Sequence, residues 1–249
     1  PRRHRMAGVQ ATATALAQEV ADERGWSAQE LADRTVPTAG FGSDGLLRLS
    51  YGEREFTGRL GPDLRIVVSD ASGRPVRSLP APRVDEDPEV VKEARRLLRV
   101  ARKEAKAVLV HQSARLYEAM CASRTWSGAD WRELLVGHPL VGRLVTRLVW
   151  TAATGGDVVV FRPTEDGALL GVNDVEVSLG EGAVVVGLAH GTLLEPALVE
   201  AWRAHLADYE VEPLFDQLTA AAPRVAEGAS RIDELSGRAT TTFALRRQA

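Results

Sequence analysis

The chain has 249 residues and a formal net charge of −3; 45% of its residues are hydrophobic and 26% charged. That balance supports a globular core and excludes both a globally disordered chain and a polycation built for nucleic acid. The single cysteine, Cys121, excludes an intrachain disulfide framework and a multi-cysteine zinc site, and no run of 18 apolar residues marks a membrane-crossing helix.

Residues 7–24 are alanine-rich, with Val9, Ala13, Leu16, Ala17 and Val20 at helical spacing, and Gly25 ends the helix. Ser27 and Glu30 form a capping box for a short helix to about Arg34, with Trp26 and Leu31 as its hydrophobic staple. From 46 to 69 the period becomes two: Leu47, Leu49 and Tyr51, then Phe56, Gly58 and Leu60, alternate with polar residues before Ile66-Val67-Val68. Turns at Gly52 and at Gly61-Pro62-Asp63 make this a three-stranded antiparallel meander. Pro80 and Pro82 forbid continued pairing, so 78–83 reads as an extended linker.

Asp87-Pro88-Glu89 is a helix start, with Asp at the N-cap, Pro at N1 and an acid in the first turn. The helix is expected to reach about residue 122, with Val91, Ala94, Leu98, Ala101, Ala105 and Val108 as its apolar stripe. A second capping box, Ser127 to Asp130, stapled by Trp126 and Trp131, opens the next helix, and Gly137-His138-Pro139 breaks it. Residues 139–152 read as a third helix closed by Gly155-Gly156. Residues 157–188 turn β again, as Val158–Phe161, a turn at Asp166-Gly167, then 168–179 and Ala183–Leu188, in a second antiparallel meander. A third capping box, Thr192 to Glu195, opens a helix to about Asp208, and the tail is helical in patches. The order α, β, α, β, α predicts an α+β fold: two antiparallel β-meanders packed with helices, including one long amphipathic helix.

Gly40-Phe-Gly42-Ser-Asp-Gly45 matches a dinucleotide-binding glycine pattern by letters, but it precedes a strand, so no helix N-terminus is there to hold a phosphate. Neither G-x-S-x-G nor H-E-x-x-H occurs. Five histidines are scattered, and none pairs with another at i, i+4. His138 and His190 flank helices; they either converge on a site or satisfy backbone groups at helix ends, and the second is the plainer reading. Cys121 at the end of the long helix reads as a packed thiol, since a reactive one wants the opposite end of the dipole. Asp85-Glu86-Asp87 reads as capping rather than chelation. The sequence thus points to no catalytic residue, no metal site and no cofactor. The five tryptophans read as core anchors.

The strongest surface signal is Lys92, Arg95, Arg99, Arg102 and Lys106, which share one face of the long helix. Residues 91–106 hold seven cations and two acids. Such a stripe can track a phosphate backbone, meet an acidic partner, or simply be a solvated face whose stems cover the core. Interleaved aromatics for base stacking are absent from it. All but three of the 31 cations are arginine, which reads as the signature of a GC-rich bacterial genome and weakens arginine as a phosphate signal.

The ordered segments Arg115-Leu-Tyr-Glu-Ala-Met120, Arg124-Thr-Trp126, His138-Pro139, Arg147-Leu-Val-Trp150, Phe161-Arg162, Asp166-Gly167, Trp202, Ala207-Asp208-Tyr209-Glu210 and Pro213-Leu-Phe215 resemble the bacterial MolR/YehI-type family. That family is the domain of unknown function numbered 4132, historically labelled a molybdate metabolism regulator. The resemblance spans roughly 26–249 and departs from the family's frequent His-Pro at His190-Gly191. It implies family-pattern residues of unknown role at Trp126, His138, Pro139, Trp150, Asp208 and Tyr209. It also implies a long parent protein with HEAT-like helical repeats upstream, in some members a WGR domain, and partners such as a MoxR-type AAA+ ATPase and a von Willebrand factor A protein. No molybdate site is expected. Residues 1–35 are then expected to end an upstream helical region, 36–83 to form the small meander and linker, and 84–249 to form the family core, cut at its C-terminus. The expected function is a non-enzymatic, cytoplasmic interaction module that binds no membrane; the alternative is nucleic-acid binding through the basic face of helix 88–122.

Overall fold

The computed structural model describes residue 12 and residues 15–154, 156–180 and 183–218. The architecture is α+β. A helical segment at 15–24 ends at Gly25, whose φ of 66° is a left-handed conformation that glycine adopts without strain. Helix α1 (Ala28–Arg34) starts on the expected capping box: Ser27 accepts from the Glu30 N–H while the Glu30 carboxylate accepts from the Ser27 N–H.

The first sheet has strands β1 (Leu47–Ser50), β2 (Glu55–Leu60), β3 (Ile66–Asp70) and β4 (Pro75–Val76), antiparallel and in chain order. Leu47, Leu49, Phe56, Leu60, Ile66 and Val68 face inward, as their alternation requires. The fourth strand is one more than the alternation announced. Asp70 folds the chain back by accepting from the Ser72 and Arg74 N–H groups, and Pro75 sits at the sheet edge, where its missing N–H costs no ladder bond.

Helix α2 (Pro88–Cys121) is 34 residues long, about 51 Å at 1.5 Å per residue. Asp87 caps it by accepting from the Glu89 N–H at 2.8 Å. All six residues of the expected apolar stripe are buried, and Leu109, Leu116, Tyr117 and Met120 extend it. Burying each large member contributes about 1.5–3 kcal/mol. The helix touches β1 of the first sheet and β9 of the second, so one core runs along it from Ala39 to Leu188.

The second sheet has the order β5-β9-β6-β7-β8, all pairs antiparallel: β5 (Thr125–Ser127), β6 (Trp150–Thr154), β7 (Asp157–Pro163), β8 (Leu169–Leu170) and β9 (Val185–Leu188). It is not a simple meander, because β9 returns to lie between β5 and β6. The helix expected over 139–152 is also corrected. Only α4 (Val141–Val145) is helical in the expected way; Trp150 begins a strand that pairs with β7 on one side and β9 on the other. Gly156, at φ 104°, turns the β6–β7 hairpin rather than closing a helix. The expected strand over 168–179 shrinks to β8.

Two caps differ as well. Ser127 accepts from the Asp130 N–H, but the Asp130 carboxylate takes the Ser127 hydroxyl and the Arg34 guanidinium instead of completing the box. The helix it opens is α3 (Gly128–Asp130), which widens at once into a π-helical turn at Trp131–Val136. Helix α5 (Pro196–Asp208) starts at Pro196 behind Glu195; Thr192 instead bonds to the His190 ring within a 3-10 turn. The Trp150 ring meets those of Trp126 and Trp131 edge to face, and Trp131 in turn meets Phe161, at centroid distances of 5.5–5.9 Å. Residues 219–249, including the expected patchy helix, lie outside the described residues.

Candidate functional site

Two surfaces carry unspent chemistry. The first is the basic face of α2. Lys92 pairs with Glu89 at 2.9 Å, both side chains largely exposed. Arg95 is tied down: it donates to the Pro80 carbonyl at 2.7 Å and to the Tyr51 hydroxyl at 3.2 Å, and so clamps the proline linker to the helix. Arg99, Arg102 and Lys106 are exposed, without a hydrogen-bond or ion-pair partner among the described residues. Val110, exposed by 64%, lies one turn beyond Lys106 on that face, while the exposed Leu97 and Val100 lie on another side of the helix.

Four residues of the family-like pattern have packing duties. The Trp126 indole N–H donates to Asp33 at 2.8 Å, the same carboxylate that takes Arg115 at 2.7 Å and Arg124. Three pattern residues thus converge on one buried acid of α1. Sequence reasoning missed Asp33, because nothing local distinguishes it from any other acid on a short helix. His138 Nδ1 accepts from the Leu140 and Val141 N–H groups, and its Nε2 meets the Val36 carbonyl at 3.2 Å. Burial lowers its pKa, opposed by that carbonyl. Pro139, half-buried, follows it into α4. Trp150 donates to the Val145 carbonyl at 3.0 Å. His190 Nδ1 accepts from Thr192, and burial lowers its pKa too. Each of these two histidines serves its own turn.

The second surface is a cleft of about 830 Å³ bounded by the β2–β3 turn, the end of α4, the β7–β8 hairpin and the end of α5. Four pattern segments reach its lining, through Arg147 after α4, Arg162 on β7, Asp166 in the β7–β8 hairpin and Tyr209-Glu210 at the end of α5. The Phe161 ring points into the core and Arg162 lines the cleft, as alternation along β7 requires. Arg162 is 4% exposed. Its Nε donates to His205 Nε2 at 3.3 Å, and its guanidinium carbon lies 4.9 Å from the Tyr209 ring centre. His205 Nδ1 faces Asp174 at 3.4 Å, and the Tyr209 hydroxyl donates to Asp174 at 2.9 Å.

Burial lowers the Arg162 pKa, opposed by Tyr209 and Asp174. Burial and then the Arg162 charge lower that of His205, which keeps its Nε2 free to accept. The hydrogen bond to Asp174 raises the Tyr209 pKa. Asp208 is exposed and close enough to His205 to favour the imidazolium. Sequence reasoning named Tyr209 but neither Arg162 nor His205 as site residues; the arginine-rich composition hid the first, and only the fold brings the second to β7. Among the described residues, no three His, Cys, Asp or Glu side chains are placed to share a metal ion, and no helix is long and apolar enough to cross a membrane.

Comparison with known proteins gives two matches. The family model described as Domain of unknown function (DUF4132) matches residues 73–246. An uncharacterized protein, YehI of Escherichia coli strain K12, is 32% identical over 206 residues, which is 81% of this chain and 17% of that protein. No solved structure matches.

Proposed function

The chain belongs to the DUF4132 family, and on that premise we propose that it is a non-enzymatic interaction module of a larger bacterial protein, a scaffold in a MoxR-type AAA+ ATPase-associated system of the cytoplasm. The carrying observation is the face of α2 where Arg99, Arg102 and Lys106 stand unpaired among the described residues, with exposed Val110 one turn beyond Lys106. A cationic stripe that runs into an exposed apolar side chain complements an acidic protein surface with an apolar contact of its own. The chain spans 17% of the relative it matches, which supports a module within a longer protein. A von Willebrand factor A protein is the second partner of the proposal. The MolR label enters only as a family name, and no molybdate chemistry is drawn from it.

The cation spacing along α2 also favours a second reading, in which the same face tracks a phosphate backbone. A tagged pull-down from nuclease-treated native lysate, read by mass spectrometry, separates the two. The variant is Arg99→Glu with Arg102→Glu; Arg95 is left intact because it holds Tyr51 and Pro80. Recovery of an AAA+ or von Willebrand factor A protein by the parent chain, lost in the variant at unchanged thermal midpoint, is the expected result. Loss of all partners after nuclease, with a log affinity for duplex DNA that falls by about 0.9 per neutralised phosphate against log salt, would replace it with the second reading.

A further inference from the structure

We propose that the cleft over β7 binds a small molecule or chain end bearing one carboxylate and one cationic group, with the carboxylate held by Arg162 and the cation by Glu210 and Glu212 at the mouth. This site is separate from the α2 face and does not depend on it.

A guanidinium carries five N–H donors and a charge that is costly to bury without a counter-ion. Arg162 is 4% exposed, yet among the described residues it forms no ion pair. It bonds to a neutral imidazole at 3.3 Å and to the Pro163 carbonyl at 3.5 Å and lies over the Tyr209 ring, and none of the three carries a full opposing charge. Asp174 is the acid nearest in the network, but the Tyr209 hydroxyl and His205 occupy it. The network therefore orients Arg162 and compensates its charge only in part, through the Tyr209 ring and the Asp174 charge, with no direct ion pair among the described residues. Arg162 lines an open volume of about 830 Å³, within the usual range for small-molecule sites.

The signs at the mouth choose the ligand. Arg143 is paired with Glu165 at 2.6 Å; Arg147 is held by the Pro62 carbonyl without being neutralised, so it is one cation of the lining set against Glu210 and Glu212. Glu210 and Glu212 line the mouth and have no ion pair among the described residues. A buried cation compensated only in part, with Glu210 and Glu212 set against Arg147 in the lining, suits a monoanion whose remainder is positive. It opposes a polyphosphate, whose extra charges would face the acids.

The test is isothermal titration calorimetry on the full chain with four probes: L-arginine, L-argininamide, acetate and inorganic phosphate. L-arginine is expected to bind saturably. Argininamide, which lacks the carboxylate, and acetate, which lacks the cation, should each bind at least about tenfold more weakly. Phosphate should bind no better than acetate. Glu210→Gln with Glu212→Gln, both surface changes, should bring L-arginine affinity down towards that of acetate and leave acetate unchanged. Arg162→Met should abolish binding; because it also removes the donor to His205 Nε2 and the cation over the Tyr209 ring, binding is read well below the variant's own thermal midpoint. Absence of saturable L-arginine binding, equal binding of argininamide, or tighter binding of phosphate would each overturn the proposal.

Discussion

Replacing Asp33 by asparagine keeps the shape of the side chain and removes its charge. The carboxylate, 9% exposed, accepts from Arg115 Nη2 at 2.7 Å, from Arg124, and from the Trp126 indole N–H at 2.8 Å. These bonds join α1 to the last turns of α2 and to β5, elements about 80 to 90 residues apart in the chain. In the Asp33→Asn variant an amide NH2 replaces one carboxylate oxygen and confronts donors. At least one donor then loses its acceptor, and both guanidinium groups lose their counter-charge. Breaking a buried pair from one side costs about 3–5 kcal/mol. The Arg115 and Arg124 side chains keep 24 and 14% exposure, so water recovers part of that, and about 3 kcal/mol is the expected loss. For a chain of this size that is a fall of about 6–12 °C in thermal midpoint. The assay is urea and thermal unfolding followed by far-ultraviolet circular dichroism, with Lys92→Ala as control. Lys92 pairs with Glu89 on the open surface, and its loss should cost less than about 0.5 kcal/mol. An Asp33→Asn loss as small as the control's would refute the idea that this carboxylate ties the three elements together.

Other expectations follow from single groups. The Arg54 guanidinium pulls the Glu86 carboxyl from 4.5 to about 2. Its stabilising charge is therefore complete above pH 4.5 and lost as pH falls through about 2, and Glu86→Gln should flatten that acid limb of a midpoint-versus-pH curve. Burial holds His138, His190 and His205 below their ordinary 6.5, so the unfolded chain binds their protons first. Stability from these rings is complete above pH 6.5 and falls as pH drops below it; a midpoint that is level or rising from about pH 7 to about pH 5 would contradict that sign. A Cβ at Gly142 would sit 2.5 Å from the Val136 carbonyl oxygen, a backbone atom, so Gly142→Ala should cost about 1–3 kcal/mol in urea unfolding.

Local features were legible in the residues alone. Asp87 and Pro88 begin α2, and Val91 to Val108 face the core, because capping and a 3.6-residue period are properties of neighbouring residues. The alternation of Leu47 to Leu60 likewise specifies which face of the first sheet is buried. The family resemblance could be read from ordered short segments without knowing where they lie in space.

The remainder depended on long-range contacts, for identifiable reasons. Leu148-Val149-Trp150 is a continuous apolar run that suits a buried helix or a strand covered on both faces. Pairing with β7 and β9 makes it a strand, and β9 is supplied by residues more than 30 positions downstream. Asp33 acquires its role only when Arg115, Arg124 and Trp126 are brought to it. Arg95 belongs to the basic stripe by spacing, yet it is committed to Tyr51 and Pro80, while Arg99, Arg102 and Lys106 are left to the surface. Arg162 is one arginine among many in the sequence. Its burial against His205 and Tyr209 singles it out, because the cost of an unneutralised charge depends on surroundings that no local pattern encodes.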